Sequence, residues 1–373
     1  MTTRSQTEPG SVVATAAGAN GAFNNPGRAE NKSEQKRDGQ YSAIASLQSS
    51  AEPLLDIRNL SVDYVTPNGF ARAVNNVSLS IRPGETLGLA GESGCGKSTL
   101  AFAVARLHKP PALISEGQIL YQNRDVLTMK PRELRRFRWN EVSLVFQSAM
   151  NSLNPVITIG EQIIDVLLAH QKIRYDDAWS RGEALLKTVG IHPSRMSSFA
   201  HQLSGGMRQR VVIAIALALQ PKLIIMDEPT TALDVVVERE IMDELYQLKD
   251  RFGFSILFIS HDLSLMGEIA DRIGIMYGGK LVELGPAKEV FYHPSHPYTQ
   301  GLINSFPTIH GPKDRLHGIA GNPINLLETP TGCYFQERCP RAFPLCHQRE
   351  PDLIQVKPLH QAACHELTEE TSS

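Results

Sequence analysis

From Leu54 onward, short apolar runs bounded by turn residues alternate with stretches of helical periodicity. Leu54–Leu60, Ser61–Val65 and Ala73–Ile81 read as short strands, punctuated by Asn68–Gly69 and Pro83–Gly84. TLGLAG (Thr86–Gly91), LIIM (Leu223–Met226) and SILFIS (Ser255–Ser260) read as strands buried on both faces. Each adjoins a helical pattern, which predicts a parallel sheet covered by helices. Leu100–Leu107 and Met207–Leu219 are two such helical runs. In the block between them, Ile159, Ile163, Val166 and Leu167 fall at i, i+4, i+7 and i+8, one apolar stripe of an amphipathic helix.

The texture differs at both ends. Residues 1–50 are rich in Ala, Ser, Asn, Gly and Gln, with Phe23 and Tyr41 as their sole aromatics. So little apolar surface cannot offset ordering entropy, which predicts a disordered tail. Beyond residue 290 Pro and His increase, and four of the five cysteines lie past residue 330. A separate C-terminal module is expected over 291–367, with a short flexible tail at 368–373.

Charge and hydropathy narrow the class. With 37 Lys+Arg against 39 Asp+Glu, nothing electrostatic favours nucleic acid or an anionic membrane as main partner. The longest apolar run, Val211–Leu219, has nine residues, well short of the roughly 18 of a membrane span. No apolar h-region opens the chain, so a soluble protein in a reducing compartment is expected, where cysteines bind metal or nothing more often than they pair.

GESGCGKST (Gly91–Thr99) matches G-x-x-x-x-G-K-[ST], directly after one predicted strand and before a predicted helix. Gly91, Gly94 and Gly96 let the backbone wrap a phosphate, with N–H groups and the helix N-terminus pointing inward. Lys97 supplies charge to the β- and γ-phosphates, and the Ser98 hydroxyl is placed to ligate magnesium. Cys95 reads as a small tolerated side chain. LIIMDEPTTALD (Leu223–Asp234) ends a buried strand in Asp227 and Glu228 at the carboxyl edge of the sheet, where ligands bind. Asp227 is expected to hold the magnesium, directly or through water, and Glu228 to act as general base on the attacking water.

Between these motifs stands QLSGGMRQR (Gln202–Arg210), which resembles the signature of ATP-binding-cassette (ABC) ATPases. The resemblance spans roughly residues 54–285 and adds roles in order. Tyr64 looks like the aromatic that stacks on adenine. Gln147, in LVFQSAMNSLNP, looks like the glutamine of the Q-loop, implied in catalysis and as a magnesium ligand. Ala232–Leu233–Asp234 resembles the D-loop, and His261 the switch histidine that touches the γ-phosphate. Ser204, Gly205 and Gly206 precede a helical run and are implied to bind ATP held by the opposite subunit; Asp234 is implied to bind ATP as well. Gly91, Gly94, Gly96, Lys97, Ser98 and Thr99 complete the ATP site. The implied fold is α/β: a P-loop ABC core over 51–290, mostly parallel with an antiparallel β subdomain, a helical subdomain at about 150–210, and the small cysteine module. ATP and Mg2+ are the implied cofactors, and ATP hydrolysis the activity.

Competing members of the superfamily fit less well. DNA-repair and chromosome-organising ATPases split the motifs with coiled coils, whereas roughly a hundred residues without heptads separate Thr99 from Leu203. Translation-factor ATPases carry two phosphate loops, against one here, and many exporters fuse a membrane domain.

HPYTQGLINSFP (His296–Pro307) and GNPINLLETPTGCYFQERCPRAFPLC (Gly321–Cys346) resemble the tail of oligopeptide/dipeptide importer ATPases, a group that also serves nickel and oligosaccharide importers. That implies a peripheral subunit on the cytoplasmic face of the plasma membrane. Its implied partners are two transmembrane permease subunits, a second ABC ATPase (paralogue or self) and an extracytoplasmic solute-binding protein. Cys333, Cys339, Cys346 and Cys364 are spaced C-x5-C-x6-C-x17-C. On spacing alone an iron–sulfur centre, zinc and a metal-free thiol module all stay open, although the C-x2-4-C pairs usual for zinc are missing. The resemblance implies a [4Fe–4S] cluster.

Overall fold

The computed structural model describes residues 52–147, 152–230, 233–305 and 318–370. The expected N-terminal tail, Ala232 of the D-loop and 148–151 of the Q-loop lie outside them. The strands are β1 (Leu55–Thr66), β2 (Gly69–Ile81), β3 (Thr86–Ala90), β4 (Ala112–Tyr121), β5 (Arg124–Asp125), β6 (Val142–Val145), β7 (Leu223–Asp227), β8 (Ser255–Ile259), β9 (Arg272–Tyr277), β10 (Lys280–Pro286), β11 (Ile354–Lys357) and β12 (His360–Ala362). They form two sheets. One is antiparallel, in the order β2-β1-β4-β5; the other has the order β11-β12-β10-β9-β3-β8-β7-β6.

In the larger sheet β6, β7, β8, β3 and β9 run parallel, while β10, β12 and β11 add antiparallel to its edge. Pleating explains the unbroken apolar runs. Leu223 and Ile225 of β7, with Leu257 and Ile259 of β8, enter one core; Ile224, Met226, Ile256 and Phe258 enter the core on the opposite face. Fully burying each such side chain contributes roughly 1.5–3 kcal/mol, so a charge at any of them would undo a layer. β3 lies between β9 and β8. A Cβ at its Gly88 would come within 3.2–3.4 Å of Met266, Ala270 and Ile273, so helix Leu263–Ile269 and β9 close tightly over it.

Two expected strands, Leu54–Leu60 and Ser61–Val65, are one. β1 runs through a register shift between Ile57 and Leu60 opposite β2, with Asn59 in the left-handed region (φ 49°). The split expected between Leu60 and Ser61 is no break: the strand passes through it with shifted register on either side, as a bulge.

The helical block contains Ile159–His170, opened by a capping box in which Glu161 N donates to Thr158 Oγ1 (3.2 Å) and Thr158 N to Glu161 Oε2 (2.8 Å). Its buried stripe is Ile159, Ile163, Ile164 and Leu167, with Val166 only half-buried. The run expected at Leu100–Leu107 is helical over Lys97–Val104, and that expected at Met207–Leu219 over Gly205–Leu217. Both helices start earlier because glycines and small polar residues supply the first turn.

Past β10 the chain folds back on the sheet. Glu283 of β10, fully buried, accepts from Ser295 N (2.8 Å), His296 N (3.0 Å) and His360 Nε2 (2.7 Å). One carboxylate thus ties the turn before helix Pro297–Asn304 to β12.

Candidate nucleotide-binding site

The loop between β3 and helix Lys97–Val104 is shaped by its glycines. Gly91 (φ 147°) and Gly96 (φ 102°) adopt positive φ, and a Cβ there would stand 2.2 Å from Met276 O or 2.1 Å from Ala73 O. Neither backbone oxygen can retreat, since both belong to strands. Gly94 shares the left-handed backbone (φ 79°). No side chain caps the helix, so the N–H groups of its first turn, at Lys97, Ser98 and Thr99, stay available to an anion.

Lys97 is buried and donates Nζ to Gly91 O (2.8 Å) and Glu92 O (3.0 Å), with Cys95 Sγ at 3.6 Å. Carbonyls that hold an ammonium this way release it to a stronger acceptor such as phosphate. Burial pushes the Cys95 thiol up, against the opposing pull of Lys97, which keeps it neutral and unreactive.

Ser98 Oγ donates to Asp227 Oδ1 at 3.0 Å, joining the start of helix Lys97–Val104 to the end of β7. Burial raises the Asp227 pKa; the Ser98 hydrogen bond and Lys97 oppose this, and Glu228 adds to it. A hydroxyl beside a desolvated carboxylate is a hard-oxygen pair suited to magnesium. On the far side, Glu228 carries a positive φ (46°), a strained backbone held by its N–H to Ile259 O (2.9 Å). Gln147 Nε2 donates to Glu228 Oε2 (2.7 Å), and His261 Nδ1 stands 3.7 Å from Glu228 Oε1. Tyr64 OH lies 3.4 Å from Thr99 Oγ1. Tyr64, Lys97, Ser98, Thr99, Gln147, Asp227, Glu228 and His261 therefore gather at one edge of the sheet.

Ser204, Gly205, Gly206 and Asp234 form a second group. Ser204 caps helix Gly205–Leu217, its Oγ accepting from Met207 N at 3.3 Å. Asp234 caps helix Val235–Phe252 through Val237 N (3.0 Å). The two caps meet at Val237, whose Cγ1 would stand 2.7 Å from a Cβ on Gly206.

Sequence reasoning passed over Glu92, a variable position of the loop motif. Its N–H donates to Tyr298 OH (2.9 Å) from helix Pro297–Asn304. No local pattern announces a contact 206 residues away in sequence.

The four C-terminal cysteines carry free thiols and line one pocket, together with His296, Phe335, Phe343 and His365. Cys333 N donates to Cys346 O at 2.8 Å, closing the loop between them. Burial pushes Cys333 up to about 12 and moves Cys339 and Cys364 in the same direction, so all three are neutral thiols until a cation displaces the proton. Among the described residues no three His, Cys, Asp or Glu side chains stand together as a ready cage for one metal ion. Nor, among them, is any helix long and apolar enough to cross a membrane.

Comparison with known proteins gives two family matches. The ABC transporter family matches residues 74–231, and the oligopeptide/dipeptide transporter C-terminal region matches residues 282–346. The chain is 42% identical over 333 residues to the oligopeptide transport ATP-binding protein OppD of Escherichia coli (strain K12), covering 89% of this chain and 98% of that protein. It is also 42% identical over 314 residues to the dipeptide transport ATP-binding protein DppD of Lactococcus lactis subsp. cremoris (strain MG1363), covering 83% and 90%. Among solved structures, the ATP-binding cassette MJ0796, in a dimeric post-hydrolysis state bound to ADP and Pi, is similar with a TM-score of 0.56 at 28% identity. That likeness covers 62% of this chain and 98% of the other.

Proposed function

This chain belongs to the family of ABC transporter ATP-binding proteins that carry the oligopeptide/dipeptide C-terminal region, and on that premise we propose how its residues power import. The observation that carries the reading is the gathering of Lys97, Ser98 and Asp227 on one side of a sheet edge, with Glu228 held by Gln147 on the other.

ATP would lie along the phosphate loop, with its adenine against Tyr64. Lys97 leaves the carbonyls of Gly91 and Glu92 for the β- and γ-phosphates. Ser98, Asp227 and Gln147 would hold magnesium, which when bound neutralises charge on the β- and γ-oxygens. Glu228, aimed by Gln147, takes the proton of the attacking water, and His261 contacts the γ-phosphate. Burial around Asp227 lowers the local dielectric and so would strengthen its contact with a cation.

Hydrolysis is proposed to need a second ATPase, paralogue or self. Ser204, Gly205, Gly206 and Asp234 are joined to one another at Val237, and their helix N-terminus would serve ATP on the opposite subunit. Beside Asp234 two aliphatic side chains, Val235 and Val236, are 76% and 70% exposed, as a partner-facing surface requires. Phe146 and Val156, 42% and 77% exposed, stand on either side of the Q-loop and would pass the closing motion to two transmembrane permease subunits. The protein would sit peripherally on the cytoplasmic face of the membrane, its cargo delivered by an extracytoplasmic solute-binding protein. An oligopeptide or dipeptide fits the family best; nickel and oligosaccharides are the related alternatives. In this reading 51–290 form the nucleotide domain, with a helical subdomain at about 150–210, and 291–367 the C-terminal module.

For that module we propose a [4Fe–4S] cluster on Cys333, Cys339, Cys346 and Cys364. What supports the reading is that all four thiols line one pocket; zinc is the alternative, although the C-x2-4-C pairs usual for it are missing. ATPase and uptake assays of the assembled complex with a peptide cargo test the transport reading. Uptake that proceeds without ATP hydrolysis would sink it.

A further inference from the structure

We propose that Arg338, in the C-terminal cysteine module, is a positioning residue for the phosphate loop. Its side chain is only 5% exposed and grips Glu92 of the loop with two parallel hydrogen bonds, Nη1 to Oε2 (2.7 Å) and Nη2 to Oε1 (2.8 Å). The remaining N–H groups are also used: Nε donates to Ala320 O (2.9 Å), Nη2 to Ile319 O (3.2 Å) and Nη1 to Tyr277 OH (3.4 Å). All five donors of the fork thus have acceptors, a pattern that fixes both ends of the pair and that a lysine cannot reproduce. The rings of Tyr277 and Phe335 pack beside the guanidinium, with centroids 5.7 and 5.9 Å away, and shield it from water.

The grip reaches the chemistry through one residue. Glu92 offers its side chain to Arg338, its N–H to Tyr298 OH, and its carbonyl to Lys97 Nζ. Its neighbour Gly91 supplies the second carbonyl on Lys97. Held at three points, Glu92 sets the height of the loop from which Lys97 reaches a phosphate. Two of those points come from beyond residue 290, so the nucleotide site is completed by the C-terminal part of the chain. Arg338 also adjoins Cys339 in sequence, and Phe335 lies between Cys333 and Cys339, so the thiol pocket and the phosphate loop share one rigid contact. The inference rests on Lys97 being the phosphate-binding lysine.

Equilibrium binding of trinitrophenyl-ATP to the full chain tests both points separately. Lys97→Ala should abolish binding; if binding survives there, the site assignment itself is wrong. With Lys97 in place, Arg338→Ala and Glu92→Gln should each weaken binding about tenfold, and the double variant should be no worse than either single, because one pair is lost in all three. Arg338→Lys should fall between, restoring charge without the fork. Lys280→Ala, which breaks a different ion pair to the module at Glu350, should stay within twofold of the parent. An unchanged affinity in Glu92→Gln, multiplying losses in the double variant, or an equal loss in Lys280→Ala would each overturn the role. If Arg338→Ala does not fold, Glu92→Gln and Arg338→Lys carry the same test.

Discussion

Gln147 holds the carboxylate of Glu228 at 2.7 Å, so a residue that follows β6 aims the group that follows the neighbouring strand β7. Moving one strand moves the base. Glu228→Gln should therefore bind ATP with near-parental affinity, since Lys97, Ser98 and Asp227 are untouched, yet lose more than about 10²-fold in kcat within the assembled complex. Steady-state phosphate release checks this, and a parental rate would assign the base elsewhere.

Gly96→Ala adds one methyl group where the backbone has φ 102° and Ala73 O would be 2.1 Å away. The loop must shift to accommodate it. Nucleotide affinity is expected to fall at least tenfold while the melting temperature drops by only a few degrees, because β3 and the two cores are unaffected. Calorimetric titration with ATP beside a thermal melt separates the two effects; retained affinity would show a loop more pliant than its contacts imply.

Ser204→Arg places a bulky cation at a helix N-terminus proposed to serve ATP on the opposite subunit. Binding of ATP to the isolated subunit should be unchanged, while hydrolysis in the complex should fall by about 10²-fold or more, since closure on the opposite subunit is blocked. Equal loss of affinity in a monomeric preparation would contradict the two-subunit site.

For the cysteine module, anaerobically purified protein is expected to be brown, with iron and acid-labile sulfide each near about four per chain and little zinc. Replacing any one of Cys333, Cys339, Cys346 or Cys364 by Ser should lose the colour. Stoichiometric zinc in protein from its native source would reject the cluster and leave the ATPase standing.

What could be read from sequence divides along a physical line. The phosphate loop and the Asp227–Glu228 pair are contiguous, and their chemistry follows from strand, turn and helix within a dozen residues, so their positions were legible. Gln147 and His261 are single polar residues whose meeting at Glu228 depends on strand order; only resemblance pointed to them. The break expected between Leu60 and Ser61 is a bulge within one strand, because composition cannot distinguish a bulge from a loop, and Ile164 was missed because a strict stripe is narrower than the face a helix buries. The pairing of Arg338 with Glu92 spans 246 residues and leaves no local trace at all.

The way β12 lies along β10 has a consequence for any attempt to shorten this protein. Cutting the chain near residue 290 would not trim an appendage. It would strip β10 of its neighbour, leaving a bare row of unpaired backbone groups along an apolar strand, and strand Glu283 without the three hydrogen bonds that make its burial tolerable. Such a fragment has an adhesive border and an uncompensated charge behind it, and it should precipitate as strand-paired oligomers rather than survive as a minimal ATPase.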